Sequence, residues 1–358
     1  MQAEPEAPPV FEAKALAEFL LAPDAGERLA PLAGDDGVRG PGALVLDLRA
    51  TNEDEAERFG DVLRHALPVL PAITIALSPL EKAPLRGDLA GLCDVELDSE
   101  EAVLALFAAF RTTPVAALSY AQLLRAAPRR TVYEALVAES FVYSTLQAGS
   151  EFATWLAGRR KRKRRKPADP GPAVRMDRDR GRLEIHLVRS EKHNAFSRAM
   201  RDGLSEALQL VQADPTIEEV VLSGEGPSFC SGGDLDEFGS FPDPAEAHAI
   251  RTTRSPALLL SQLANRVRVE VHGACIGAGA ELPAFTGRVV AEEDAFFQLP
   301  EVGLGLVPGA GGTASLPLRI GRQRTAWLGL SGERIDARTA LDWGLVDEVR
   351  LGQHVDPA

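Results

Sequence analysis

Two glycine-rich turns and two glutamates are the parts of the sequence best suited to catalysis or ligand binding. The first turn is 229–235 (FCSGGDL), and the second, 273–282 (GACIGAGAEL), contains Glu281. Small residues let a ligand approach the main chain closely, and free backbone N–H groups at a helix start can stabilise an oxygen that gains negative charge. The turns are therefore expected to bind an oxyanion, and carboxyl groups such as those of Glu281 and Glu301 are of the type that can transfer protons in such chemistry.

Each of these features also has a purely structural interpretation. A glutamate at a helix start, such as Glu281, is favoured by the helix dipole, and Glu301, after Pro300, has the position of a residue that opens a helix or turn. Asp234 is typical of a loop or cap residue, and the GAGG segment at 309–312 is typical of a close-packing turn. The residue types alone leave both interpretations open.

Several other kinds of site lack the residues they need. Leu282 stands where a GxGxxG nucleotide motif would need its third glycine, and no phosphate-binding GK[ST] or nucleophile GxSxG motif occurs. Cys93, Cys230 and Cys275 are far apart, and the histidines show no paired spacing. No metal site is expected.

Alternating strands and helices must position the two turns. Residues 183–188 alternate between apolar and polar like a strand, and strands at 219–223 and 267–271 directly precede the turns. Between the first two strands lies a helix with one apolar face, which Asp214 and Pro215 end. That face consists of Met200, Leu204, Leu208 and Val211. This order of elements predicts an α/β fold with βα crossovers.

Length and composition indicate a globular protein of two domains. The chain has 358 residues, of which 45% are hydrophobic and 25% are charged. No stretch approaches the roughly 18 apolar residues of a membrane span, and the first ten residues do not resemble a secretory signal. A cytoplasmic protein without a membrane partner is therefore expected.

A run of eight basic residues at 159–166 separates two acidic segments. Like charges repel, and the PADPGP that follows forbids a helix, so a linker is predicted at 159–173 between domains at 1–158 and 174–358. No aromatic residue is interleaved with the run, so a nucleic-acid partner is not expected. A solvated linker and local attraction of an anionic ligand or acidic partner both stay open.

The first 158 residues contain a weaker version of the same pattern. Strand-like segments at 44–48, 73–78 and 113–118 suggest a degenerate half-repeat, although an unrelated docking domain is the alternative. This segment has no counterpart of the glycine-rich turns or the glutamate pair and is predicted to be noncatalytic. Helices are predicted over 131–158, with the apolar residues Val132, Leu136, Val137, Phe141, Leu146, Phe152, Trp155 and Leu156.

Six motifs between about residues 174 and 350 together resemble the enoyl-CoA hydratase/isomerase (crotonase) superfamily. In order they are NAF at 194–196, FCSGGDL at 229–235, GAGAEL at 277–282, FQLPE at 297–301, GLGLVPGAGGT at 303–313 and GERIDA at 332–337. The resemblance implies a spiral of ββα turns, an acyl-CoA substrate, a place in fatty acid metabolism, and a homotrimer or hexamer.

The resemblance also implies roles for individual residues. Gly233 and Ala278 match the positions whose backbone N–H groups form the oxyanion hole, while Glu281 and Glu301 match the two catalytic glutamates of hydratases. Further substrate-binding positions are Ser231, Gly232, Asp234, Gly277, Gly279, Pro308 and Gly309. The implied activity is hydration of an enoyl-CoA, in which Glu281 deprotonates water and Glu301 protonates the α carbon. The thioester is the electron sink, so no cofactor is expected beyond the coenzyme A of the substrate.

Other activities of the superfamily would use the same two glycine-rich turns as an oxyanion hole. The alternatives are an acyl-CoA isomerase, decarboxylase, thioester hydrolase or oxygenase, or a noncatalytic acyl-CoA-binding or assembly subunit. The C-terminal helices with which family members commonly cover the acyl site are expected to be absent after Val349. The helices predicted at 131–158 are expected to replace them, over the acyl site or at a subunit interface.

Overall fold

The computed structural model describes residues 7–32, 40–49, 51–78, 84–159, 171–240 and 243–350, which form an α/β fold. The helices are α1 (Ala13–Leu20), α2 (Ala25–Leu29), α3 (Glu53–Ala66), α4 (Pro84–Leu92), α5 (Glu100–Phe110), α6 (Pro114–Ala126), α7 (Val132–Gln147), α8 (Ser150–Gly158), α9 (Arg198–Ala213), α10 (Pro244–Thr253), α11 (Pro256–Gln262), α12 (Ala278–Glu281), α13 (Gly312–Ile320), α14 (Arg322–Ser331) and α15 (Ala337–Trp343). The strands are β1 (Val10–Phe11), β2 (Ala43–Asp47), β3 (Ile73–Leu77), β4 (Val95–Leu97), β5 (Val174–Asp179), β6 (Arg182–Leu187), β7 (Glu219–Gly224), β8 (Val267–Val271), β9 (Ala274–Ile276), β10 (Arg288–Glu292), β11 (Phe296–Gln298), β12 (Ile335–Asp336) and β13 (Glu348–Arg350). Most of the predicted linker, 160–170, lies outside the described residues.

The first half of the chain is built on a parallel sheet with the order β1-β2-β3-β4. Side chains of a strand alternate between the two faces, so Ala43 and Val45 of β2 pack on one side while Leu44 and Leu46 pack on the other. Helices α1, α3 and α4 cover the second side, whereas α5, α6 and α14 cover the first. Burial of both faces explains why these strands are almost wholly apolar.

One of the three strands predicted in this half is wrong. The segments at 44–48 and 73–78 are confirmed as β2 and β3, but 113–118 begins helix α6. Pro114 occupies the first turn, where its fixed φ fits a helix and its missing N–H is not needed. The carboxylate of Glu151 accepts hydrogen bonds from the next two N–H groups, those of Val115 and Ala116. The half-repeat stays a hypothesis that now rests on two strands.

The second half winds between two sheets. A six-stranded sheet has the order β13-β10-β8-β7-β6-β5, parallel except for the β5–β6 pair, and a three-stranded sheet has the order β12-β11-β9. Only two residues separate β8 from β9, and three separate β10 from β11, so these two strands of the large sheet continue directly into strands of the small one. This is the expected spiral of ββα turns, and the strands predicted at 183–188, 219–223 and 267–271 are confirmed.

The helix predicted between the first two of these strands is confirmed as α9. Ser197 caps it by accepting a hydrogen bond from the N–H of Met200 at 3.2 Å. All four residues of the predicted apolar face are no more than 1% exposed, which packs α9 against the large sheet.

The two halves share one hydrophobic core. Ala326 and Leu330 of α14 pack with the residues of β2 and β3 that face them. Asp94 is 1% exposed and pairs with both Arg125, at 2.5 Å, and Arg322 of α14, at 3.3 Å. The division into domains at residue 158 stays a prediction, since packing and ion pairs both cross it.

No single helix in the described part of the chain is long and apolar enough to cross a membrane. Helices α5 and α6 meet that length and composition only when taken together, and they are bent by 110° relative to each other. Both contribute side chains to the shared core.

Candidate active site

The two glycine-rich turns lie side by side. Cys230 and Cys275 form a parallel bridge, and the N–H of Ile276 donates to the carbonyl oxygen of Cys230 at 2.9 Å. A Cβ on Gly279 would lie 2.3 Å from that same oxygen, so this position requires glycine. The close approach of the two main chains brings the ends of both turns to one cavity.

Gly233 and Ala278 present backbone N–H groups at this cavity, which has a volume of about 200 Å³. Ala278 is the first residue of α12, where the N–H has no partner inside the helix. Within the described residues, neither N–H has a hydrogen-bond acceptor. Two free donors in one cavity are the geometry that a developing oxyanion requires.

Glu281 is the last residue of α12, a single helical turn, and is 1% exposed. Its Oε2 accepts hydrogen bonds from the N–H groups of Ala310 and Gly312, each at 2.8 Å, while Oε1 has no partner among the described residues. Burial, followed by the charges of Glu301 and Glu139, raises the pKa of Glu281 well above its ordinary value, and the two N–H bonds oppose this. One oxygen is thus fixed, and the other is available to a ligand.

Glu301 lines the same cavity, directly before the one-turn helix Val302–Leu304. Its Oε1 lies over Gly277, where a Cβ would come within 2.3 Å of it. Its Oε2 is buried and has no hydrogen-bond partner in the described part of the chain. Burial, together with a smaller effect of the Glu139 charge, raises the pKa of Glu301 to about 8 against the opposing effect of its own backbone N–H, so this carboxyl is largely protonated at neutral pH.

A third buried glutamate, Glu139 of α7, was not predicted. Its Oε1 accepts from the N–H of Gly311 at 2.7 Å, and its Oε2 accepts from the N–H and Oγ1 of Thr313 at 2.8 and 2.7 Å. Burial raises the pKa of Glu139 to about 7, although the bonds from Thr313 and Gly311 lower it. The available signal in the sequence was an acidic residue within an otherwise apolar helical stretch.

Helices α7 and α10 form a further wall of the cavity. Tyr143 and Gln147 come from α7, and Ile250 and Arg251 come from α10. The Arg251 guanidinium lies 4.7 Å from the centre of the Tyr143 ring, and its Nε donates to Ser140 Oγ at 3.1 Å. The helical stretch predicted at 131–158 is confirmed as α7 and α8, and α7 lies over the cavity.

Comparison with known proteins places this geometry in a family. The family model for enoyl-CoA hydratase/isomerase matches residues 177–355, half of the chain. The chain belongs to the enoyl-CoA hydratase/isomerase family, within the crotonase superfamily. The matched segment contains both glycine-rich turns, Glu281 and Glu301.

Three relatives show how far this similarity extends. The 1,2-epoxyphenylacetyl-CoA isomerase of Escherichia coli is 34% identical over 175 residues, covering 48% of this chain and 67% of that protein. The 2,3-dehydroadipyl-CoA hydratase of E. coli is 35% identical over 168 residues, covering 47% and 65%. The mitochondrial enoyl-CoA hydratase of Pongo abelii is 32% identical over 167 residues, covering 46% and 56%. The chain therefore spans about two thirds or less of the length of these enoyl-CoA hydratase/isomerase relatives.

A solved enoyl-CoA hydratase structure, from Mycobacterium smegmatis, is 33% identical to this family member. The match covers 50% of this chain and 70% of that one, with a TM-score of 0.47.

The structure separates the residues predicted by the family resemblance into two groups. Gly233, Asp234, Ala278, Glu281, Glu301 and Gly309 line the cavity. Ser231, Gly232, Gly277, Gly279 and Pro308 are not part of its wall. The Asp234 carboxylate is engaged by Lys192 Nζ at 2.8 Å and by the N–H of Asp236 at 3.0 Å, in keeping with a loop residue. The catalytic roles of all these residues stay predictions.

Proposed function

We propose that the chain is an enoyl-CoA hydratase, which adds water reversibly across the 2,3 double bond of an acyl-CoA thioester. The observation that carries this proposal is one cavity lined by the carboxyl groups of the buried Glu281 and of Glu301, whose Oε2 is enclosed, and by the two free N–H groups of Gly233 and Ala278. Hydration needs these four groups and no others: a base for water, an acid for the α carbon, and two donors for the enolate oxygen.

The thioester carbonyl oxygen binds the N–H groups of Gly233 and Ala278. When water adds to the β carbon, negative charge moves onto that oxygen, and the two dipoles are already aimed at it. Burial strengthens this effect because little solvent competes for the charge. The oxyanion hole therefore stabilises the enolate before the α carbon is protonated.

The surroundings of the two carboxyls divide the proton transfers between them. Two backbone N–H bonds favour the ionised form of Glu281, whereas no hydrogen bond from another residue does this for Glu301. We assign the single proton of the pair to Glu301, because the ionised Glu281 keeps its two N–H bonds and a neutral Glu301 no longer raises the pKa of Glu281. Glu281 then accepts a proton from water through its free Oε1, and Glu301 delivers its proton to the α carbon; dehydration reverses both steps.

The walls from α7 and α10 provide space for the acyl group. A second, smaller cavity of about 60 Å³ lies between α7 and α11 and shares Phe196, Arg201, Arg251, Gly309 and Ala310 with the first. The acyl chain would extend from the thioester toward this space. Assembly as a homotrimer or hexamer stays a prediction, which light scattering on the purified chain tests.

Hydration of a short trans-2-enoyl-CoA tests the proposal, followed by the loss of absorbance of the conjugated thioester. Glu281→Gln and Glu301→Gln should each lower kcat by about 10²- to 10⁴-fold, because each removes one proton-transfer group. The affinity for a saturated acyl-CoA, measured by calorimetry, should stay within a few fold. Glu134→Gln, on the exposed side of α7, is the matched control and should keep full turnover.

Isomerisation of the double bond is the second candidate, since the E. coli isomerase is as similar to the chain as the hydratase. Moving a double bond needs one carboxyl to shuttle a proton. An isomerase would therefore keep activity in one of the two glutamate variants. No turnover by the wild-type protein, with acyl-CoA still bound, would instead favour a binding role.

A further inference from the structure

The loop at 309–313 is held from two sides by two carboxylates. Its four consecutive N–H groups, at 310–313, donate alternately: the even-numbered ones to Glu281 and the odd-numbered ones to Glu139. All four distances fall between 2.7 and 2.8 Å. Every donor of this segment is therefore committed to one of two acids from different halves of the chain.

The glycines of the loop make this alternation possible. Gly311 has φ of +106°, a conformation that L residues rarely adopt. A Cβ on Gly312 would lie 2.7 Å from Cγ of Glu281. The GAGG segment thus lets the main chain pass between the two carboxyl groups, which gives the motif a role that its sequence did not reveal.

Charge balance around the loop is unusual. No lysine or arginine of the described residues pairs with Glu139, Glu281 or Glu301. Other titratable side chains around these acids are Tyr120 of α6, Tyr143 of α7, His248 and Arg251 of α10, and Cys230 of the first turn. The side chains of Arg198, Arg201, Asp234 and Glu237 also line the cavity of Glu281 and Glu301. Burial raises the pKa of the tyrosines and Cys230 and lowers that of His248, so the cationic side chains near these acids are those of Arg198, Arg201 and Arg251.

We propose that Glu139 is a positioning residue of the site: it fixes one side of the 309–313 loop so that the other side holds Oε2 of Glu281 and leaves Oε1 facing the cavity. This inference rests on the proposed hydratase function and assigns part of the site to the N-terminal half. When it is ionised, Glu139 also places a negative charge close to both other glutamates, which raises the pKa of each.

Two substitutions separate the position of this side chain from its charge. In Glu139→Gln the charge is lost, and one donor of the loop must face an amide nitrogen. In Glu139→Asp the charge stays, but the carboxylate is one methylene too short to hold both N–H groups. We expect both to lower kcat for enoyl-CoA hydration by about 10- to 100-fold with little change in KM, because the misplaced group is Glu281 rather than a substrate contact.

The pH profile of kcat distinguishes a positioning role from general damage. Glu139→Gln should move the alkaline limb about 0.5 to 1 pH unit lower, since loss of the negative charge lowers the pKa of Glu301. Glu139→Asp should leave the limb in place. Glu134→Gln removes a charge from the exposed side of the same helix and should change neither kcat nor the limb. The inference is overturned if Glu139→Gln has the same kcat and the same alkaline limb as Glu134→Gln.

A measurement without substrate separates this inference from the proposed function. Titration of ¹³C-carboxyl-labelled glutamates by NMR, with Glu281→Gln and Glu301→Gln used for assignment, reports the two pKa values directly. If wild-type protein hydrates no enoyl-CoA, the proposed function fails, and the NMR shift caused by Glu139→Gln still decides the inference. Unchanged titration of Glu281 and Glu301 overturns it.

Discussion

The two halves of the molecule differ in whether their buried acidic side chains have cationic partners. In the first half, Asp94 lies between two arginines, and its Oδ2 also accepts hydrogen bonds from the N–H and Oγ1 of Thr74, each at 2.9 Å. In the second half, Glu281 is 1% exposed and Glu301 is half-buried with its Oε2 enclosed, yet no cation in the described residues pairs with either. The charge of Asp94 is neutralised by its two arginine partners, whereas Glu281 and Glu301 have no cationic partner and can be either ionised or protonated.

This difference separates an acid that holds the fold together from acids that can transfer protons. A buried carboxylate with cationic partners stays ionised and links α6 to α14 through Arg125 and Arg322. A buried carboxylate without such partners has a raised pKa and can give or take a proton near neutral pH. Four predictions test this distinction, and the first has the greatest expected effect.

Asp94→Asn should cause the largest loss of stability. The change leaves Arg125 and Arg322 in the core, 6% and 18% exposed, without a carboxylate. Breaking such a pair costs about 3–5 kcal/mol of unfolding free energy. Urea denaturation measures the loss, while turnover per folded molecule should equal that of the wild type. A normal stability would show that the compensation of Asp94 is not structural.

Gly277→Ala should damage the site while both glutamates remain. Its Cβ would lie 2.3 Å from Oε1 of Glu301, at a residue with φ of +50°, so the carboxyl must move. We expect turnover to fall about 100-fold, equivalent to about 2.7 kcal/mol. The control is Gly91→Ala in α4, where a Cβ meets no heavy atom within 4 Å, and steady-state kinetics should show no change. Equal kinetics in both variants would contradict the placement of Glu301.

The stability of the wild-type protein should fall as the pH rises toward 8. The pKa of Glu301 is raised from 4.5 to about 8 in the folded state, so the folded protein holds a proton that the unfolded chain has released. Its contribution is complete below pH 4.5 and is lost as the pH rises through 8. Relative to Glu301→Gln, wild-type unfolding free energy should decline by up to about 1.4 kcal/mol per pH unit in this window. Parallel pH curves for the two proteins would argue against a raised pKa.

Glu151→Gln should have the smallest effect. Both carboxylate oxygens accept N–H groups at the start of α6, at 2.8 and 2.9 Å. The amide keeps one acceptor, so a loss of at most about 1 kcal/mol is expected in thermal unfolding, with turnover unchanged. A loss of stability as large as that of Asp94→Asn would show that the partly buried carboxylate of Glu151 matters as much for stability as the buried Asp94.

Local patterns predicted the second half of the chain well. Strands β6, β7 and β8 and helix α9 follow from alternation and helical periodicity, because each is specified by residues a few positions apart. The strand predicted at 113–118 was wrong because an apolar run of that length fits either a buried strand or a helix. Pro114 and Glu151 favour the helix, because they suit its first turn.

The other wall of the site could not be predicted, because its contacts join distant parts of the chain. Glu139 and Gly311 are 172 residues apart in sequence, and no local pattern pairs them. The apolar residues of α7 even suggested a different buried face: Phe141 is 56% exposed, whereas Glu139 is 2% exposed. The polar face of α7 can be buried because the N–H groups of the 309–313 loop and the guanidinium of Arg251 form hydrogen bonds with its side chains.

The packing of α14 on the first sheet sets an order of events during synthesis. A ribosome completes strands β1 to β4 and helices α5 and α6 long before it reaches residue 331, so the part of the sheet face that α14 covers lacks Ala326 and Leu330 until then. At about 5–20 residues per second, this interval lasts roughly 10–50 seconds. The nascent chain thus carries an open apolar surface for most of its translation. We expect it to depend on chaperones until its second half emerges.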